Sequence, residues 1–291
     1  MPTLREVKKR IKTVVSTKRI TKAMEMVAAA KLRRAQQRVE QTRPYAEKMD
    51  EMLSHLAAAS SSEITHPYFE EREVKRQTIV VIASDRGLCG SYNGNVIRRT
   101  IEMMRADKKD HGIESEIVCI GKKVNDVFSR REWPIVDYFG DWDGNLDYGR
   151  AKEIVAKITA RFVSAETDLV RIVYTRFLSM VKYRLTAETY LPVPRPAVEA
   201  GEGLQVEYIF EPNPEEIYAA LMPSYATTKM VTALAEAFAS EHGSRMMAMS
   251  NATSNAGEMV DSLTLQYNKA RQAQITKELL EVVSGAEALR G

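Results

Sequence analysis

Cysteine and histidine are scarce in this 291-residue sequence, which limits the chemistry that it can support. The two cysteines, Cys89 and Cys119, lie in or beside apolar runs, so we expect buried, reduced thiols and no disulfide. The four histidines are isolated, and neither H-x-x-x-H nor C-x-x-C spacing occurs. Because those spacings bring metal ligands together, the sequence predicts no metal site.

Long apolar runs and phosphate-binding motifs are missing as well. No run of about 18 apolar residues occurs, so we expect no segment that crosses a bilayer. The basic N-terminus lacks the apolar core of a secretory signal, which favours a cytosolic protein. The glycines Gly87, Gly90 and Gly94 do not match G-x-G-x-x-G, and no G-x-x-x-x-G-K-[ST] motif is present. We therefore predict that this chain has no cofactor and no catalytic residues.

Charge is nearly balanced overall, at +3, but it is distributed unevenly. Residues 1–40 contain twelve Lys or Arg and only three Glu. Such a basic segment favours an acidic partner, which could be nucleic acid, anionic lipid or protein.

The first 59 residues show the periodicity of one long helix. Thr3 and Glu6 have the spacing of a capping box at its start. Lys18 occupies a position where the apolar stripe should continue, so the seam is imperfect, and Pro44 is where the helix could be kinked. Apolar residues recur every three or four positions, at Leu4, Val7, Ile11, Val14, Ile20, Met24, Val27, Leu32, Ala35 and Val39.

A second long helix is predicted at the other end of the chain. Asn213 and Pro214 form a typical helix start, and we expect Pro223 to interrupt the helix before it continues over 224–287. A helix of that length measures about 96 Å, so the N-terminal helix, another protein, or both must cover it. A simple helical hairpin without further function remains an alternative. The predicted seam is poor in charge and consists of Met246, Met249, Ala252, Ala256, Met259, Leu263, Gln266 and Ala270.

Between the helices the pattern changes to that of an α/β domain. Continuous β-branched runs predict buried strands at 78–83, 117–120 and 169–177, and helical stretches at 92–107, 121–131 and 147–164 separate or flank them. Residues 180–190 and 204–210 alternate and predict an antiparallel hairpin. The predicted fold is a Rossmann-like α/β domain with a long antiparallel coiled coil. Its expected domains are an N-terminal coiled-coil helix at 1–59, a central α/β domain at 74–212 and a C-terminal coiled-coil helix at 213–291.

Four segments resemble the γ subunits of F-type ATP synthases: Ile20–Ala29, Ser84–Gly90, Tyr267–Gln272 and Ile275–Ala288. The resemblance covers the chain in order. It implies a central rotor shaft without an active site of its own, which couples ion-driven rotation of the c-ring to conformational cycling of the catalytic β subunits. The implied partners are the α and β subunits, the ε subunit and the c-ring, with no nucleic acid and no direct membrane insertion. The implied location is the cytoplasmic face of the cell membrane, as a peripheral part of the F1 complex.

The same resemblance assigns roles to individual residues. Lys22 and Met24 match positions near an acidic loop of β at the mouth of the ring. Tyr208 and Glu211 match a stretch that rests on the c-ring. The expected contacts with β near the end of the shaft are Arg271, Gln272, Thr276 and Glu278.

The sequence differs from the chloroplast members of this family. Residues 190–210 contain no cysteine pair, so a bacterial or mitochondrial type is favoured. Two other functions are alternatives. The α/β pattern suggests a nucleotide-dependent enzyme, although phosphate loops are missing, and the basic first helix suggests a coiled coil that binds nucleic acid.

Overall fold

The computed structural model describes residues 3–59, 66–142, 144–180, 182–194 and 214–288. The elements in chain order are α1 (Leu4–Ala59), β1 (Arg76–Ile82), α2 (Tyr92–His111), β2 (Glu114–Ile120), α3 (Lys122–Arg130), β3 (Ile135–Phe139), α4 (Tyr148–Val163), β4 (Leu169–Ser179), β5 (Lys182–Leu191) and α5 (Pro214–Ala288). They form two compact units, and both long helices contribute to each. The helical unit comprises residues 1–28 and 246–291, and the α/β unit comprises residues 29–245.

In the helical unit, α1 and α5 run antiparallel. The Thr253 hydroxyl donates to the Thr21 hydroxyl at 2.8 Å, and a Cβ at Gly257 would lie 3.1 Å from Lys18 Nζ. Residue numbers therefore increase along α1 in the direction in which they decrease along α5. The start of α1 carries the predicted capping box, because the Thr3 backbone N–H donates to Glu6 Oε2 at 2.8 Å and the Glu6 N–H donates to Thr3 Oγ1 at 3.3 Å.

The seam of this helix pair differs in part from the predicted one. Ile20, Val27, Met259 and Gln266 are exposed, so their placement in the seam was wrong. On α1 the buried positions are Val7, Thr21 and Ala28, and on α5 they are Met249, Ala256 and Leu263. The buried α1 positions are separated by multiples of seven, the period of a coiled coil. A uniform heptad register, rather than the most apolar residues, decides which positions are buried.

The α/β unit contains a five-stranded sheet in the order β3-β2-β1-β4-β5. β1 pairs parallel with β2 and β4, β2 pairs parallel with β3, and β4 pairs antiparallel with β5. Alternate residues of β1 enter different cores: Ile79 and Val81 pack in the core that contains residues of α2 and α3. Val80 and Ile82 pack in the core that contains residues of α4, α1 and α5. The sheet is thus covered on both faces, as its continuous apolar strands predicted.

Two strands of the sheet need comment, β3 and the strand predicted at 204–210. β3 was not predicted, because its Asp137 and Tyr138 break the apolar run and most of its residues are only half-buried at the sheet edge. β5 confirms the predicted strand at 180–190, and the structure pairs it with β4. The strand predicted at 204–210 lies outside the described residues.

Both helices continue through their internal prolines. α1 includes Pro44 and α5 includes Pro223, so the predicted interruption at Pro223 was wrong. A proline inside a helix loses one backbone hydrogen bond and costs about 3 kcal/mol. Tyr218 and Met222 are almost fully buried on this turn. Because burying each such side chain contributes about 1.5–3 kcal/mol, the packing of the turn offsets the lost hydrogen bond. None of the helices in the described ranges is apolar enough over a sufficient length to cross a membrane.

Candidate partner-binding surface

The C-terminal end of α5 is the most exposed helical segment of the described chain. Every described side chain from residue 271 to residue 286 is exposed. The antiparallel register explains this, because Lys18 faces Gly257 and equal steps in opposite directions bring Leu4 to residue 271. α5 therefore extends beyond the start of α1, and α1 has no residues left to cover it.

This exposed end carries an apolar face. Ile275, Leu279 and Val283 follow one another at intervals of four, which places them on the same side of the helix. Their exposed fractions are 45%, 60% and 58%, and Leu280 and Val282 beside them are exposed by 62% and 70%. Contiguous exposed apolar side chains of this kind are typical of a protein–protein contact. These five residues are therefore a candidate partner-binding surface, here called the distal face.

The four predicted polar contacts lie on the same segment. Arg271 and Glu278 are seven residues apart and share one side of α5, whereas Gln272 and Thr276 are four apart and share another. All four are exposed. Locally, the Thr276 hydroxyl donates to the Gln272 carbonyl at 3.0 Å, and Gln274 donates to the Glu278 carboxylate at 2.9 Å. These are weak contacts within one helix, so the side chains remain available to a partner.

On α1, Lys22 and Met24 lie beside a second exposed apolar face. Lys22 forms an ion pair with Glu25 at 3.0 Å, and its side chain is 55% exposed, while Met24 is half-buried. An exposed pair of this kind contributes about 0.2–1 kcal/mol, so an acidic partner could exchange with Glu25 at little cost. Ile20 and Val27, which the sequence analysis placed in the seam, are 57% and 59% exposed on one side of α1. We call Ile20, Ala23 and Val27 the proximal face.

Ile20 and Val27 are candidate contact residues that sequence reasoning assigned to the wrong side of the helix. A signal was present. Extending the regular three-four spacing from Val14 through Lys18 leads to Thr21, Glu25 and Ala28, and this leaves Ile20 and Val27 outside the seam.

A carboxylate from the Gly-rich turn after β1 binds the start of α3. Asp85 lies at the strand end, and its carboxylate accepts the backbone N–H of Lys122 at 2.9 Å and that of Trp142 at 2.7 Å. Lys122 N–H belongs to the first residue of α3, a position where phosphates commonly bind in α/β domains. A carboxylate already occupies this position and would repel a phosphate group. This geometry argues against a phosphate group at the start of α3.

Both cysteines are buried and free, as their apolar surroundings predicted. Burial raises the pKa of the Cys119 thiol to about 12, so this thiol is protonated and unreactive at neutral pH. The predicted c-ring contacts Tyr208 and Glu211 lie outside the described residues.

Comparisons with known proteins match almost the whole chain to one family. The family described as ATP synthase matches residues 3–289. The ATP synthase gamma chain of Moorella thermoacetica is 44% identical over 290 residues and covers 100% of both chains. The ATP synthase gamma chain of Heliobacterium modesticaldum is 45% identical over 296 residues, covering 99% of this chain and 100% of its own.

Solved structures show the same fold. A chain from the central stalk and c-ring of the Tetrahymena thermophila mitochondrial ATP synthase has a TM-score of 0.59 and 26% identity, over 80% of this chain and 99% of its own. A chain from the Euglena gracilis mitochondrial ATP synthase has a TM-score of 0.67 and 20% identity, over 98% of this chain and 94% of its own.

Proposed function

Because this chain belongs to the ATP synthase gamma-chain family, we propose that it is the central rotor shaft of an F1Fo ATP synthase. The observation that carries this proposal is the distal face on α5. A helix end with an uncovered apolar side is expected of a shaft that ends inside a ring of other subunits. The match over residues 3–289 supports the same conclusion.

The mechanism that we propose depends on unequal contacts. Ion flow turns the c-ring and the attached shaft, and each orientation of the shaft contacts some conformations of the catalytic β subunits better than others. A partner shifts a conformational equilibrium only by the difference in its interaction with the two states. Rotation of an asymmetric helix pair therefore moves the three β subunits in turn through states that bind substrates, form ATP and release it. In this mechanism the chain itself performs no covalent chemistry.

For the residue roles, we propose that Arg271, Gln272, Thr276 and Glu278 contact β at the distal face. Lys22 and Met24, with Ile20 and Val27 of the proximal face, would contact an acidic segment of β. The excess of Lys and Arg in residues 1–40 supports that assignment, since opposite charges steer and orient such contacts. We propose that Tyr208 and Glu211 rest on the c-ring.

The proposal also covers the roles of the domains, the ε contact and the location of the chain. Functionally, residues 1–59 and 213–291 would form the shaft, and residues 74–212 would form the domain that joins it to the membrane sector. The ε subunit would bind this central domain. The chain would work as a peripheral part of F1 on the cytoplasmic face of the cell membrane.

The decisive experiment is co-expression with α and β subunits, followed by purification and single-molecule observation of a bead attached to the α/β unit. We expect a stoichiometric complex that hydrolyses ATP and turns the bead. A chain that stays free of α and β, and binds nucleotide or DNA by itself, would refute the proposal.

The distal face is tested by the double substitution Ile275→Asp and Leu279→Asp. Placing two carboxylates on this apolar face should prevent stable assembly, because each would be buried without a partner. Lys277→Asp is the matched control, since Lys277 is 76% exposed on the same segment and is not part of the apolar face. Equal assembly of the double variant and the control would show that the distal face is not the contact.

The polar contacts are tested in the assembled complex with Arg271→Ala. A hydrogen bond to a charged group contributes about 1.5–3 kcal/mol, so losing one formed during rotation should lower the hydrolysis rate by about tenfold or more. An unchanged rate would remove Arg271 from the set of contact residues.

A further inference from the structure

A buried carboxylate joins three elements of the α/β unit. Glu236 of α5 is only 1% exposed. Arg43 of α1 donates to Glu236 Oε1 from Nη2 at 2.9 Å and from Nε at 3.2 Å. Arg176 of β4 places its Nε 3.4 Å from Glu236 Oε2, an ion-pair contact in which neither atom has a hydrogen-bond partner among the described residues. We call Arg43, Arg176 and Glu236 the ionic clasp.

The clasp also contacts the sheet backbone directly. Arg43 Nη2 donates to the Phe177 carbonyl of β4 at 2.7 Å. The same guanidinium therefore connects α1 to α5 through Glu236 and to the sheet through Phe177. Charge-assisted hydrogen bonds are stronger and more directional than neutral ones, so this arrangement fixes angles as well as distances.

Much of the surrounding interface between sheet and helices is apolar. Met49 and Leu53 of α1 and Met230 and Leu234 of α5 belong to the same core as Val80 of β1. Apolar packing is non-directional and offers weaker resistance to small sliding or twisting motions than fixed polar bonds do. Other polar links are present as well. The Ser240 hydroxyl donates to the Thr175 carbonyl at 2.9 Å, and Arg245 of α5 donates to the carbonyls of Arg86 and Gly87 after β1 at 3.2 and 3.3 Å.

Stability alone is a poor explanation for this cluster. Burial raises the pKa of the Glu236 carboxyl above its ordinary value, although Arg43 and Arg176 oppose the shift. Desolvation, together with the nearby Glu188 carboxylate, therefore outweighs the effect of the two arginines on this pKa. Buried ion pairs are often no more stabilising than apolar side chains of similar volume, and positional specificity is one reason for keeping them.

We propose that Glu236 is a positioning residue for rotary coupling. Held by Arg43 and Arg176, it locks the sheet to the helix pair against twisting, so that torque applied to the α/β unit passes into α1 and α5. This inference rests on the proposed function, because only a shaft must transmit torque between these elements.

The test uses Glu236→Gln in the complex with α and β subunits. Glutamine has nearly the same volume, and the Arg43 and Arg176 side chains are 36% and 39% exposed, so water can solvate their charges in the variant. The variant is therefore expected to fold and assemble. A bead is attached through Lys109→Cys on the exposed end of α2, and both native cysteines are buried and should not react.

Torsional stiffness is the measured quantity. With the ring stalled, thermal fluctuation of the bead angle reports how tightly the α/β unit is held to the shaft. We expect a wider angular distribution for Glu236→Gln than for the wild type, with ATP hydrolysis retained. An unchanged distribution would overturn the inference. If the wild-type complex itself fails to assemble or rotate, the proposed function fails instead.

Two further variants separate torque transmission from general stability. Asp50→Asn breaks the 2.9 Å ion pair with Lys229, which joins α1 to α5 but does not involve the sheet, and should leave the stiffness unchanged. The double variant Arg43→Gln and Glu236→Gln keeps the net charge of the clasp. Its bead should still show the wider angular distribution, even if its thermal stability equals that of the wild type. Equal softening by Asp50→Asn, or a double variant as stiff as the wild type, would contradict the clasp.

Discussion

His242 should make the α/β unit sensitive to acid. The imidazole is only 2% exposed, on α5. Burial lowers its pKa to about 4, and the positive charges of Arg245 and Lys31 act in the same direction, although a hydrogen bond to the backbone of Gly144 opposes them. Arg245 Nη1 lies 3.4 Å from Nδ1, which favours a neutral ring. The histidine is therefore uncharged in the folded protein at neutral pH.

The sign and size of the effect follow from the two pKa values. The folded value is about 4 and the ordinary value is 6.5, so between these pH values the unfolded chain binds a proton that the folded chain does not. The contribution of this group is fully present above pH 6.5 and is lost as the pH falls towards 4. Each pKa unit corresponds to about 1.4 kcal/mol, so a shift of this size amounts to about 3 kcal/mol over the whole window, and about 2.5 kcal/mol of it at pH 4.5.

The assay is urea unfolding of the full-length chain, followed by the fluorescence of Trp133 and Trp142, for the wild type and for His242→Gln. The measured quantity is the free energy of unfolding of the variant minus that of the wild type. We expect this difference to rise by about 2.5 kcal/mol as the pH falls from 7.5 to 4.5. Other titrating groups are common to both proteins and cancel in the difference. Above pH 7 the difference should be constant, which serves as an internal control. A difference that is also constant down to pH 4.5 would refute the buried, neutral state of His242.

Two glycine substitutions should have opposite effects. Gly121→Ala requires a side chain at φ +101° with its Cβ 2.2 Å from the Ala83 carbonyl oxygen, so it should destabilise the α/β unit by about 3 kcal/mol or more in urea unfolding. If Gly121→Ala were as stable as the wild type, this position would not require glycine. Gly257→Ala meets only the flexible end of Lys18 at 3.1 Å, and alanine favours a helix by about 0.5–1 kcal/mol, so hydrogen exchange in this part of α5 should become slower. Faster exchange would mean that Lys18 is held in place.

Local sequence patterns predicted the elements of the α/β unit well, because continuous apolar strands are buried on both faces. β1, β2 and β4 contain the β-branched runs from which they were predicted. β3 has no such signal, since an edge strand needs only partial burial and tolerates Asp137 and Tyr138. Pro223 shows the opposite limit: tertiary packing around Tyr218 and Met222 outweighs a local helix-breaking residue, and no local pattern reports that packing.

The register of the helix pair was the harder problem, and the candidate site depends on it. Hydrophobicity favoured Ile20 and Val27 for the seam, whereas the structure buries Thr21 and Ala28 there. A small residue lets the partner helix approach closely, and Thr21 in addition accepts a hydrogen bond from Thr253 within the seam. Apolar residues displaced from the seam become the proximal face.

The distal face has the same origin. Its apolar residues are visible in the sequence, but whether they are covered depends on the alignment of α1 with α5. In the observed alignment Lys18 lies beside Gly257, and α5 is uncovered beyond residue 271. Shifting the alignment by one heptad towards the end of α5 would bring α1 over part of the distal face. The length of helix available to a partner is therefore set by the register of the two helices, which apolar residues alone do not reveal.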